Sequence, residues 1–171
     1  MDKKKILKAS YKLIKKIGLE NFSMRKLASE LNCQPASIYY YYETKNDILN
    51  DLYLSLYLKY FDIRDNKYDS LEDYLFDLCI RVQKHHKEYL FFIRHMHSHF
   101  LSKETKKIIN SYHEYSRDLV SSFVAGKMVS CPDFVIINGT IIELAFMNQS
   151  KFSEEEIKVL VNKIAIAIKG E

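Results

Sequence analysis

The stretch SMRKLASELNCQPASIYYYYETK, residues 23–45, leaves the backbone few choices. Met24, Leu27, Ala28 and Leu31 recur at helical spacing and give its first part a single apolar face. Asn32 follows directly, where a residue tolerant of left-handed backbone geometry ends a helix. Pro35 then falls where a first helical turn accepts it, because its missing N–H would be unpaired there anyway. Two short helices about a tight turn make a helix-turn-helix, which can seat its second helix in the major groove of DNA. Thr44-x-x-Asp47 is a capping box that opens a further helix at once.

At about 100° per residue, the second helix carries Ile38 and Tyr42 on one side with Tyr39 near its edge. Gln34, Ser37, Tyr40 and Tyr41 spread over the other. The first group should pack inward. The second offers an amide, a hydroxyl and two phenols with no carboxylate, which suits base edges and phosphate oxygens. From these residues alone two readings stand: a DNA-reading element, which is favoured, and an ordinary helical corner with solvated tyrosines.

Charge supports the first. Residues 1–50 hold ten Lys/Arg against five Asp/Glu, giving +5, and residues 51–171 hold sixteen against seventeen, giving −1. The positive charge therefore sits at the end that carries the motif, as sequence-independent attraction to phosphate requires.

Ser-Met-Arg-Lys-Leu-Ala-x-x-Leu, a short turn, Ile38-Tyr39-Tyr40-Tyr41-Tyr42 and then Lys45 resemble the signature of the TetR family of bacterial transcription regulators, over about the first 55 residues. The resemblance implies that Ser23 and Arg25 touch phosphates, and that Gln34, Pro35, Ser37, Tyr39 and Tyr40 line the groove. It implies that Lys45 clamps the DNA backbone from the next helix. Asn32 and Cys33 stand where the family usually has glycine and a small aliphatic residue, and Tyr41 and Tyr42 where it usually has histidine and phenylalanine. These departures leave the class intact and bear on base preference.

The expected fold class is all-α: a three-helix DNA-binding head over 1–60, with its motif at 23–42, and a helical regulatory and dimerisation body over 61–171. Only two prolines and four glycines leave room for long helices. The first should run from Lys3 to Ile17, its stripe made by Ile6, Leu7, Leu13, Ile14 and Ile17, and end at Gly18. The helix after Thr44 carries Ile48, Leu49, Leu52, Tyr53, Leu56, Tyr57 and Tyr60. Asp62 to Asp69 is the polar break after it. Ser70-x-x-Asp73 caps a helix with Leu71, Tyr74, Leu75, Leu78 and Val82 inward, and Glu88 to Phe100 reads as a short aromatic helix. Ser102 opens another that ends near Gly126. Pro132 starts one that is apolar nearly all round through Met147, and Ser153-x-x-Glu156 caps the last, striped by Ile157, Leu160, Val161, Ile164 and Ile168.

Helices apolar on more than one face must be covered on more than one face. In so short a chain the last two helices should find their second cover in another subunit. The resemblance implies the same, a homodimer through those helices that presents two recognition helices to a pseudo-palindromic operator. It also implies a small-molecule pocket in the middle helices, for which Phe92, Met96, Phe100 and Tyr112 are candidates. Phe91 and Tyr115 are further aromatics of that region. Aromatic stripes at such spacing are more often plain core.

Cys33, Cys79 and Cys131 are scattered and odd in number, which suits reduced thiols in the cytoplasm rather than a disulfide frame. The lysine-rich start leads into an amphipathic pattern instead of a signal peptide, and no apolar run is long enough to span a bilayer. No cofactor motif or catalytic triad is recognisable. His95 and His99 stand at i, i+4, a spacing able to hold zinc on a helix, so a metal-responsive regulator or metal-dependent enzyme is the alternative reading. Half-buried histidines beside a cavity are the plainer account. Glu143 is an odd acid in the most apolar helix, able to pair, to face a cavity or to sit at an edge.

Overall fold

The computed structural model describes residues 1–124, 137–141, 143 and 152–170. Among them the chain is helical with no strand, as expected. In chain order the helices are α1 (Lys3–Ile17), α2 (Met24–Glu30), α3 (Pro35–Tyr39), α4 (Lys45–Phe61), α5 (Leu71–Lys84), α6 (His86–His95), α7 (Lys103–Phe123) and α8 (Glu154–Lys169). The expected helix from Pro132 through Met147 lies mostly outside the described residues; 137–141 and 143 are helical, with Ile137 and Ile141 buried and Glu143 exposed. Gly126 and Cys131 also lie outside them.

The boundaries follow from local chemistry. The Asp2 carboxylate accepts from the Lys5 N–H at 2.7 Å and starts α1. Gly18, at φ 81°, ends it with its N–H on the Ile14 carbonyl, a conformation that glycine enters without steric cost. Thr44 and Asp47 cap α4 reciprocally: the Thr44 N–H donates to Asp47 Oδ2 at 2.7 Å, and the Asp47 N–H donates to Thr44 Oγ1 at 3.2 Å. Ser153 and Glu156 do the same for α8. Ser70 caps α5 by accepting from the Asp73 N–H.

Two compact units result, Met1–Leu56 with His97–Lys106, and Tyr57–Met96 with Lys107–Glu171. In the first, α2 packs on α1 and α3. Its core is Ile6, Phe22, Leu27, Ile38, Ile48, Leu49, Leu52 and Tyr53. Each such side chain contributes about 1.5–3 kcal/mol by leaving water. Ser10 is buried on α1 as well, its hydroxyl satisfied by the Ile6 carbonyl at 2.9 Å. The short piece 97–106 joins this unit, with Phe100, Leu101 and Thr105 buried and with Asn50 bonded to its backbone. Asn50 Nδ2 donates to the Phe100 carbonyl at 2.6 Å and to the Asn46 carbonyl at 2.8 Å, and Asn50 Oδ1 accepts from the Ser102 N–H at 2.8 Å.

In the second unit α5 is central, packed on both α6 and α8. Leu71, Tyr74, Leu75, Cys79 and Val82 of α5 are buried, as are Ile157, Val161, Ile164, Ala165 and Ile168 of α8. Burial pushes the Cys79 thiol up to about 12, so it is an inert core group. Lys169 Nζ meets Glu72 Oε1 at 2.6 Å and ties the end of α8 to the start of α5. The polar segment 62–70 is non-helical as expected, and is fixed by Arg64 on Asp62, by Arg81 Nη1 donating to the Asp62 carbonyl at 3.3 Å and by the Tyr68 hydroxyl donating to Asp77. No helix of the described residues is long and apolar enough to cross a membrane.

Two expectations change. The aromatic helix starts at His86 and stops at His95 rather than running from Glu88 to Phe100. His95 and His99 therefore do not share a helix face, and the zinc-holding spacing is not realised. No metal-ligand cluster occurs among the described residues. Tyr39, placed by helical phase near the edge of the inward side, is 51% exposed.

Candidate nucleic-acid interface

The site is built by the turn between α2 and α3. Asn32 adopts φ 51°, its N–H reaching the Ser29 carbonyl at 3.2 Å while the Cys33 N–H reaches that of Ala28 at 3.0 Å. This pair of bonds is a Schellman closure, which a left-handed residue makes possible. Asparagine adopts the left-handed region more readily than most residues, so it can replace the more usual glycine. Pro35 occupies the first turn of α3, and Gln34 precedes it as the N-cap without a side-chain capping bond.

That geometry turns the run of four tyrosines in graded fashion. Tyr40 is 83% exposed, and its ring meets Tyr41 edge-on at 5.0 Å. Tyr41 is half-buried and donates its hydroxyl to the Met1 carbonyl. Tyr42 is 4% exposed and Ile38 fully buried. The outward side chains of α3 and its flanks are thus Gln34, Ala36, Ser37, Tyr39 and Tyr40, with Pro35 half-exposed. An exposed phenol-rich face backed by a fully packed one can meet a partner while contributing little to the head's own core.

The surrounding groups carry the charge. Ser23 caps α2 by accepting from the Lys26 N–H at 3.3 Å, which leaves its hydroxyl proton free to donate. Arg25 is exposed on the first turn of α2. Lys26 Nζ donates to the Asn21 carbonyl at 3.0 Å. Lys45 is half-buried and gives one N–H to the Phe22 carbonyl at 3.4 Å, so two of its three donors remain. Glu30 is held below the usual carboxylate range by the Lys12 ammonium hydrogen-bonded to it at 2.8 Å. The acid beside the turn is therefore already neutralised within the head.

The candidate effector residues separate. Phe92 and Tyr112 are buried on either side of Tyr57, at ring-centroid distances of 5.6 and 5.5 Å. Phe61 closes on Phe92 at 5.3 Å. Phe100 is buried in the first unit, while Met96 and Tyr115 are exposed. Sequence reasoning missed Arg64, whose guanidinium stacks 3.9 Å from the centre of the Tyr112 ring and donates to the Tyr112 hydroxyl. Nothing in the periodicity marks Arg64, because it lies in the polar segment between helices.

Residues 6–52 match the family of bacterial regulatory proteins described as the tetR family. No curated protein sequence matches the chain. Among solved structures it is similar to a TetR transcription regulator from Haloarcula marismortui, with TM-score 0.71 and 20% identity over 97% of each chain. It is also similar to AibR in complex with isovaleryl coenzyme A and operator DNA, with TM-score 0.68 and 18% identity over 95% of this chain and 97% of that one. A regulator of the TetR/AcrR family from Thermobifida fusca gives 0.63 and 16% over 98% and 96%. At these identities the likeness is one of fold.

Proposed function

We propose, on the match of residues 6–52 to the tetR family of bacterial regulatory proteins, that this chain is a TetR-type transcriptional regulator: a homodimeric repressor of a pseudo-palindromic operator, released by a small molecule. The observation that supports this most is α3 itself. Ile38 and Tyr42 anchor it from behind while Gln34, Ser37, Tyr39 and Tyr40 face outward. Placed in a major groove, Gln34, Pro35, Ser37, Tyr39 and Tyr40 would meet bases and the near backbone. Ser23, Arg25 and Lys45 would meet phosphates, and Tyr41 would hold the N-terminus beside them.

A dimer supplies the second half-site. On α8, Val159 and Ile166 remain 55% and 49% exposed although the opposite face is buried. A second copy of α8 is the cover we assign to them. In the body, the rings of Tyr57, Phe92 and Tyr112 suit an effector with an apolar part. Such a ligand acts by preferring the arrangement in which the two heads no longer fit the operator, and it shifts the population only as far as that preference allows.

The test is salt-dependent binding to the DNA upstream of the protein's own gene. Arg25→Ala should weaken binding to every duplex and lower the salt slope by about 1. Failure of the wild type to retain any duplex at low salt would remove the proposal.

A further inference from the structure

The face that α3 presents is defined by what it lacks. Between Lys26 and Lys45 the chain contains no lysine, arginine or histidine. Its acids in that interval are Glu30, which is bound by Lys12 at 2.8 Å, and Glu43, which lies beyond the end of α3.

In the major groove guanine shows two acceptors, O6 and N7, most often met by arginine or lysine. Cytosine shows an N4 donor, met by a carboxylate. Neither kind of group stands on this face. Adenine shows an acceptor and a donor side by side, the pattern a primary amide complements, and thymine shows a C5 methyl group that welcomes apolar carbon. Gln34 has an exposed amide that takes no part in capping α3, and it is followed by the pyrrolidine of Pro35 and the exposed methyl of Ala36.

We infer that this head reads a core of A·T pairs in each half-site, with Gln34 on an adenine and Pro35 and Ala36 against thymine methyl groups. The inference rests on the DNA-binding proposal above and adds the class of sequence to it. Ser37, Tyr39 and Tyr40 can donate or accept through a rotating hydroxyl, so they hold position without separating the bases. Arg25 sits on α2, the helix that crosses the DNA backbone in this motif, where its partner is phosphate.

The experiment selects bound duplexes with the full-length protein from a pool randomised over both half-sites. Adjacent A·T pairs should be enriched at corresponding positions of the two halves. In the best duplex, 7-deazaadenine in place of adenine removes the N7 acceptor and should weaken binding about tenfold. Deoxyuridine in place of thymine removes only the methyl group and should weaken it about fivefold. With Gln34→Ala the deazaadenine penalty should vanish. Enrichment of G·C pairs in the core would overturn the inference while leaving the protein a DNA binder. So would an A·T core indifferent to both base analogues, or a deazaadenine penalty that survives Gln34→Ala. Retention of no duplex at all would instead sink the DNA-binding proposal beneath it.

Discussion

Tyr42 closes the run of four tyrosines, and it is the one whose whole ring enters the core of the head. Its hydroxyl is buried and makes no well-aligned hydrogen bond, although the Asp51 carboxylate lies close enough to act on it. Burial first, and the Asp51 carboxylate second, hold the phenol above its ordinary range. The Lys3 ammonium lies 4.9 Å from the ring centre, a contact that needs only the aromatic face. A buried hydroxyl without a partner costs about 1–3 kcal/mol. Tyr42→Phe should therefore keep the packing, drop that penalty and raise stability by about 1 kcal/mol. Urea unfolding at neutral pH measures it as a higher midpoint at constant slope. A lower midpoint would mean that the oxygen has a partner after all.

At the scale of the element, Asn50 holds the non-helical stretch that follows α6. Its amide spends both N–H groups and its oxygen on Asn46, Phe100 and Ser102. Holding the Phe100 carbonyl and the Ser102 N–H leaves 97–102 non-helical. Asn50→Ala strips two backbone groups of their partner, at about 1–3 kcal/mol for each that stays buried. Hydrogen exchange should show the Ser102 amide losing protection while those of α1 and α2 keep theirs, and unchanged exchange at Ser102 would refute the role.

The same residue shows where the sequence could and could not be read. Caps and turns are local, so Ser70, Thr44, Ser153, Asn32 and Pro35 announced their helix ends by identity and spacing. The turn at Phe100 and Ser102 is held by a side chain far back along the chain, and the local pattern, still aromatic and periodic to Phe100, argues for continuing. Arg64 on Tyr112 was hidden for the same reason. At the candidate interface Gln34, Ser37 and Tyr40 were legible from helical phase. Tyr39 was not, because a helix of one and a half turns is too short for phase alone to fix its last residue.

At the scale of the whole molecule, the apolar pair on α8 carries the argument for assembly. Val159 and Ile166 stand two turns apart on the face opposite Ile157, Val161 and Ile164. Because both are exposed, charging them should cost a lone chain little. Val159→Asp with Ile166→Asp should convert a dimer to a monomer in sedimentation, keep the helical circular dichroism, and weaken operator binding far more than either half-site contact could, since avidity is lost. A double variant that still sediments as a dimer would place the interface elsewhere.

The first unit is not one continuous piece of chain, since it borrows His97–Lys106 from the middle of the sequence. A gene segment cut after α4 would encode this unit without its internal strap, and without the Phe100 and Ser102 partners of Asn50. Recombination could thus not graft this unit onto a foreign chain by simple end-joining. It would have to carry the matching internal patch 97–106 with it.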